Sequence, residues 1–132
     1  MIMKHLIIKF LSMVMVAFLS SPALSADLNV GDVVFCTSDI FYGIDGDKSS
    51  EVKRFKNENF KFNLTKSTIK FGSSGYFSNS AMPVKVLNSW SVTAQDEWST
   101  FEIDVWEGKI SFYYASANPF GLPLMRGNCD KF

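Results

Sequence analysis

FEIDVWEGKISFYY, residues 101–114, is the stretch whose reading decides the fold. Phe101, Ile103 and Val105 alternate with Glu102 and Asp104. After Glu107-Gly108 the alternation resumes with Ile110, Phe112 and Tyr114. A period of two belongs to a strand with one face buried and the other in water. A two-residue turn at Glu107-Gly108 sets Val105 opposite Ile110, Ile103 opposite Phe112 and Phe101 opposite Tyr114, all on one face.

A second turn, placed at Gln95-Asp96, carries that face onto a third strand. Trp90 then meets Phe101, Val92 meets Ser99 and Val86 meets Val105. Asn88 and Ser99 are misfits in this register, because both point inward. Either a bulge shifts the register near Asn88, or the interior holds polar groups. The same alternation marks a first strand over Val33–Phe41, then Phe60, Phe62 and Leu64, then Ile69 and Phe71. A last short strand covers Leu124–Cys129. Gly72-Ser73-Ser74-Gly75 reads as a turn or bulge, and an odd register allows a helical turn over Glu51–Lys56. Helical periodicity is otherwise nearly absent. The expected fold is all-β: a small antiparallel meander barrel or tight sandwich of about seven or eight strands.

The amino terminus reads as an address. Lys4, His5 and Lys9 precede an apolar run over Phe10–Leu19, then Pro22 and the small residues of Ala23-Leu24-Ser25-Ala26. This is the layout of a secretory signal peptide, and the apolar run is short for a membrane span. The organisation expected is therefore a signal over residues 1–26 and one β domain over 27–132. The mature protein would begin at Ala26 or Asp27, lie in the periplasm or outside the cell, and keep no stable membrane anchor. His5 is the only histidine and falls within the signal. The remaining chain has no Ser-His or Cys-His nucleophilic pair and no imidazole for a metal, and no cofactor is expected.

Cys36 and Cys129 are the only cysteines. In an oxidising compartment two cysteines imply one disulfide, here joining the first and last strands. Charge is segregated. Asp27–Asp47 is acidic, Lys48–Lys85 carries eight bases and two acids, and Val86–Phe132 is acidic again. The basic middle alternates Lys with Phe, as a half-buried strand does, and an exported chain has little occasion to meet nucleic acid.

Three groups of residues are candidates for function. On the outer face of the 101–114 hairpin, Trp98, Glu102, Asp104 and Trp106, with Tyr113 opposite Glu102, would form a patch for a cationic or sugar-like partner. The plainer alternative is that the tryptophans lie under loops or under the basic Lys53–Lys70 stretch. In the interior, Phe35, Phe41, Phe60, Phe62, Phe71, Phe101, Phe112 and Trp90 are bulky enough to fill a small barrel, and Asn88 would be an unusual occupant unless a ligand bonds to it. At the rim, the loops Phe77–Pro83 and Asn118–Pro123 mix apolar residues with turn formers. Ser73–Met82 is the loop expected to contact a partner, with Tyr76 and Phe77 as anchors. Asp45–Glu51 spaces oxygen ligands as a calcium loop does. It lacks that loop's sixth-position glycine and twelfth-position glutamate, and reads as a solvated turn. Asn63-Leu64-Thr65 matches a glycosylation sequon.

The meander and aromatic interior resemble lipocalin-like barrels in outline, without the Gly-x-Trp signature near the first strand. Phe35-Cys36 early and Cys129 late, in an exported barrel, are also similar to the periplasmic C-type lysozyme inhibitors. Ser74-Gly75-Tyr76-Phe77 is similar to their Ser-Gly-x-x-Tyr loop, with the tyrosine displaced and the later Trp-x-Lys-Gly segment absent. Neither resemblance carries a function over. The expectation is a non-enzymatic binding protein for a small apolar ligand or an exported protein partner. The alternative is an inhibitor of, or accessory to, an exported enzyme, acting through surface loops.

Overall fold

The computed structural model describes residues 27–45 and 51–131. The signal-peptide reading of Met1–Ala26 and most of the Asp45–Glu51 turn fall outside them. Nine strands follow one another: β1 Val33–Asp45, β2 Val52–Arg54, β3 Asn59–Leu64, β4 Thr68–Phe71, β5 Ala81–Leu87, β6 Ser91–Gln95, β7 Ser99–Trp106, β8 Lys109–Ser116 and β9 Gly121–Lys131. Every pairing is antiparallel. β1 and β3 to β9 form a meander that closes when β9 pairs with β1, leaving β2 as an extra strand on β1. Of the two all-β folds expected from the alternation, barrel or tight sandwich, the barrel is observed, with eight strands in the closed ring.

Cys36 and Cys129 face each other across the closing β1–β9 seam and are bonded, with their Cα atoms 4.0 Å apart. The bond ties residues 93 positions apart. In the chain-entropy account, closing a loop that long removes about 4–5 kcal/mol of freedom from the unfolded chain.

The β7–β8 hairpin has the expected register, with Phe101 opposite Tyr114, Ile103 opposite Phe112 and Val105 opposite Ile110. Glu107 and Gly108 both have positive φ, 49° and 73°. That is the two-residue turn whose twist matches the strands it joins.

The neighbouring register differs from the sequence expectation. β6 meets β7 with Val92 opposite Ile103 and Ala94 opposite Phe101. The turn sits at Glu97-Trp98, held by Asp96, whose side-chain oxygen accepts from the Trp98 and Ser99 amides at 2.9 and 2.7 Å. An aspartate hydrogen-bonded to the backbone two residues on fixes a turn more firmly than glutamine does at the expected site. The displacement is an even number of residues, so Val92 and Phe101 keep their inward faces. Val86 belongs to a different strand from Val92, because a turn at Asn88–Trp90 separates β5 from β6 and Asn88 donates to the Ser91 carbonyl at 2.8 Å. A bulge between Val84 and Val86 then turns Val86 outward.

The core is a column of phenylalanines. Phe60, Phe62, Phe71, Phe77, Phe101 and Phe112 are buried. Their rings touch edge-to-face and stacked, from 4.5 Å for Phe71–Phe77 to 6.1 Å for Phe62–Phe71. Such pairs add about 0.5–1.5 kcal/mol each beyond the area they bury. Gly127 on β9 makes room for one of them. A Cβ there would lie 2.7 Å from the Phe112 ring and 2.0 Å from the Thr37 carbonyl oxygen. Two expected core rings lie elsewhere: Phe35 faces outward on β1, and Trp90 projects from the β5–β6 turn, 62% exposed. Phe35 alternates with the buried Val34 and Cys36, so the disulfide-bearing face decides its side.

The helical turn allowed over Glu51–Lys56 is the short strand β2. It meets β1 with Tyr42 opposite Arg54, and β3 meets β1 with Thr37 opposite Asn59. Five residues separate these pairs on both chains, so β2 and β3 are one strand interrupted at 55–58. At the interruption Ser38 Oγ accepts from the Glu58 amide at 2.7 Å, beside the bulge that displaces β1 relative to β9 between Ser38 and Ile40.

Candidate functional site

The two ends of the barrel are built differently. At the end where β1 begins, Leu28 is buried in the core and donates its amide to the Ser89 carbonyl at 2.8 Å. Gly31 and Asp32 bond both backbone groups of Leu64, and Lys131 reaches Asp32 Oδ2 at 3.3 Å. The segment before β1 thus closes this end.

At the other end β1 and β9 run on past the ring, with Ile44 opposite Leu122 and Gly43 opposite Pro123. β2 lies beside β1, and together they make a wall. Between the inner side of the wall and the β4–β5 loop lies a groove of about 600 Å³. Phe41, Ile44, Phe55, Tyr76, Phe120, Leu122 and Pro123 supply its apolar surface, and Lys56, Glu58 and Asn118 its polar groups. Phe55 packs on Phe41 with ring centroids 4.9 Å apart, and its amide donates to the Phe41 carbonyl at 2.8 Å. An apolar surface with a few polar groups at its edge is the usual build of a small-ligand or side-chain site.

Below the groove the barrel interior carries hydroxyls. Ser99 Oγ bonds Ser116 Oγ at 2.8 Å and Tyr114 Oη at 3.3 Å, and Asn118 donates to Ser116 Oγ at 3.1 Å. Above them the Tyr76 ring meets the Tyr114 ring edge-on, with centroids 5.8 Å apart. Burial, then the neighbouring Tyr114, pushes the Tyr76 hydroxyl well above the ordinary phenol range, so it stays a protonated donor at all physiological pH. Both answers to the two sequence misfits therefore hold. A bulge and a turn remove Asn88 from the expected register, and Ser99 meets polar partners.

The expected anchors separate. Tyr76 stands at the groove rim, half-exposed, with its ring edge on Phe41, Phe77 and Tyr114. Phe77 is 5% exposed and stacks on Phe71, so it is a core residue and no partner anchor. The loop folds back over the barrel because Ser80 and Asn79 bond to Phe77 and Gly72, which turns Phe77 inward. Asn88 lies at the closed end, away from the groove, and bonds within its own turn. An interior ligand role for it is removed by that placement.

The outer patch is dispersed. Glu102 and Asp104 are neighbours on the outer face of β7, and Tyr113 is opposite Glu102 as expected. Trp98 is a turn residue at the groove end of β7 and Trp106, 77% exposed, ends the strand at the closed end. The two rings therefore stand at opposite ends of the strand and do not close on the carboxylates. Nor does the basic stretch cover them, since β3 lies across the ring from β7. Burial first, and then the Asp104 carboxylate by charge and hydrogen bond, raises the Glu102 carboxyl above its ordinary range. Neither acid borders the groove. Among the described residues no cluster of three or more His, Cys, Asp or Glu could hold a metal ion.

Of the two loops read as a rim, Asn118–Pro123 lines the groove and Phe77–Pro83 does not. Phe41 was expected in the interior, and it is both core and groove floor. The Phe55–Glu58 side of the groove was not legible. Its one sequence signal is that the alternation lapses there. No family model, curated protein or solved structure matches this chain.

Proposed function

We propose that this chain is an exported, non-enzymatic binding module that works through the groove at the open end of its barrel. The observation that carries the reading is the groove itself: about 600 Å³, lined by seven apolar residues, with Lys56, Glu58, Asn118 and the protonated Tyr76 hydroxyl at its edge. The buried phenylalanine column occupies the axis, so the binding surface is the barrel's end rather than its centre. The signal-like amino terminus and the disulfide support a periplasmic or secreted location.

Phe120 is the residue to remove, because it is 87% exposed and lines the groove. Phe120→Ala should alter stability by less than about 0.5 kcal/mol. Native mass spectrometry of the protein isolated from its host should show a bound mass that the variant lacks. No bound mass on the native chain, or the same mass on the variant, overturns the reading.

Tyr76 favours a second reading, as an inhibitor of or accessory to an exported enzyme. Its half-exposed ring stands on a loop fixed by Phe77, and a fixed loop binds with little ordering cost. Loss of enzyme inhibition in Tyr76→Ala, with the groove-bound mass retained, would select it.

A further inference from the structure

The ring of eight strands has no edge, yet the sheet as a whole keeps one. β2 is the terminal strand, paired with β1 on one side and with no strand on the other among the described residues. The ladder fixes which backbone groups point outward. Phe55 donates to the Phe41 carbonyl, so Phe55–Phe41 is a hydrogen-bonded pair of the ladder. Hydrogen-bonded and non-bonded pairs alternate in antiparallel sheets. Lys53 therefore directs its N–H and C=O toward Gly43, while Val52 and Arg54 direct theirs away from β1. Those groups form a short template for one more strand.

The side chains around this template have a consistent character. Val52-Lys53-Arg54-Phe55-Lys56 holds three bases and no acid. Arg54 is exposed, with its guanidinium 5.8 Å from the Tyr42 ring centre. Across the strands, Val52, Ile44 and Leu122 form one row and Arg54, Tyr42 and Leu124 the next, and Ile44 and Leu122 also border the groove. On the inner side, Phe55 and Lys56 belong to the groove.

We propose that β2 receives an extended, acidic segment of a partner protein by strand addition. The segment's backbone pairs with Val52 and Arg54; because these two residues share the outer face, its carboxylates lie on that face beside Arg54, and its alternate apolar side chains lie on the inner face next to Phe55. Main-chain bonds supply the attachment in this mode of recognition, and the flanking side chains select the sequence. The inference rests on the binding-module reading and names its partner. The groove then recognises what lies beside the added strand.

The probe is a synthetic, acetylated hexapeptide alternating glutamate and valine, with a lysine–valine peptide as control. Addition of the acidic peptide should slow amide exchange at Val52 and Arg54 by about tenfold or more and leave Lys53 unchanged, since only the first two amides gain partners. Binding should weaken as salt is raised. Val52→Pro removes an outward donor without breaking a bond to β1. It should keep the native melting temperature and bind the peptide about tenfold less tightly or worse. If that variant unfolds, Arg54→Glu with Lys56→Glu decides instead. It should reject the acidic peptide and accept the lysine one. Equal binding of both peptides by the native chain, unchanged exchange at Val52 and Arg54, or edge-to-edge pairing of a second copy in place of the peptide overturns the proposal. Failure here with the Phe120→Ala result intact leaves the groove reading standing. Loss of the groove-bound mass in Phe120→Ala with peptide pairing retained shows two separable surfaces.

Discussion

Two ends of one barrel face water, and the chain treats them oppositely. At the end where β1 starts, Leu28 enters the core and the segment around it bonds to Leu64 and Ser89. At the other end β1, β2 and β9 overrun the ring, and the space they wall is left open over Tyr76 and Phe41. Both ends must cover the same column of phenylalanine rings. The closed end does so with Leu28, backbone hydrogen bonds and the Lys131–Asp32 ion pair. The open end uses Phe77 for cover, then places a row of hydroxyls and an apolar groove above it. An end that leaves the Tyr76 and Phe120 rings in water above the core differs from the closed end, and exposed apolar surface of that kind marks sites of interaction.

The sharpest way to break this comparison is to open the seam both ends share. Replacing Cys36 and Cys129 together with serine should lower stability by about 4–5 kcal/mol, read as the denaturant midpoint. A loss under about 1 kcal/mol would mean that the β1–β9 ladder alone holds the ring.

Phe77→Ala, beneath the open end, should cost about 3–5 kcal/mol, because it empties a buried ring position beside Phe71 and Phe60. A thermal melt that barely moves would return Phe77 to the surface and remove the contrast with Tyr76.

Leu28→Ala, at the closed end, should cost about 2–3 kcal/mol and admit an apolar fluorescent probe to that end. If neither changes, the closure belongs to the backbone bonds rather than to the side chain.

The smallest effect lies between the ends, on the outer face of β7. The Glu102 carboxyl is raised in the folded state. A carboxyl with a raised folded value binds its proton more tightly when folded. Its contribution is therefore favourable below the unfolded value and is lost as pH rises through the raised one. Glu102→Gln should slightly raise the melting temperature at neutral pH, and the gain should vanish in acid, where the native carboxyl is protonated. A gain that is independent of pH would show that repulsion from Asp104 is not its source.

How much of this was legible follows from the range of each interaction. The β7–β8 hairpin could be read to the residue because its turn forces positive φ at Glu107-Gly108 and its faces separate cleanly. The β6–β7 turn could not, since glutamine-aspartate and glutamate-tryptophan compete at neighbouring positions and only the Asp96 side chain decides between them. Phe77 and Tyr76 carry the same surface-loop signal in sequence. Which one turns inward depends on where Gly72 and Ser80 bring the loop.

By itself the sequence determined the strand content, the alternation that separates core from surface, the hairpin at residues 101–114 and the bond between the terminal strands. These follow from period-two patterning, which is local, and from the chemistry of two cysteines. Closure of the ring, burial of Phe77, exposure of Phe35 and Trp90, and the wall of β1, β2 and β9 around the groove were decided only by tertiary structure. Each depends on which strand edges meet across long stretches of chain. Those meetings are set by the sum of packing around the Phe60, Phe101 and Phe112 rings, and no short window of residues carries that sum.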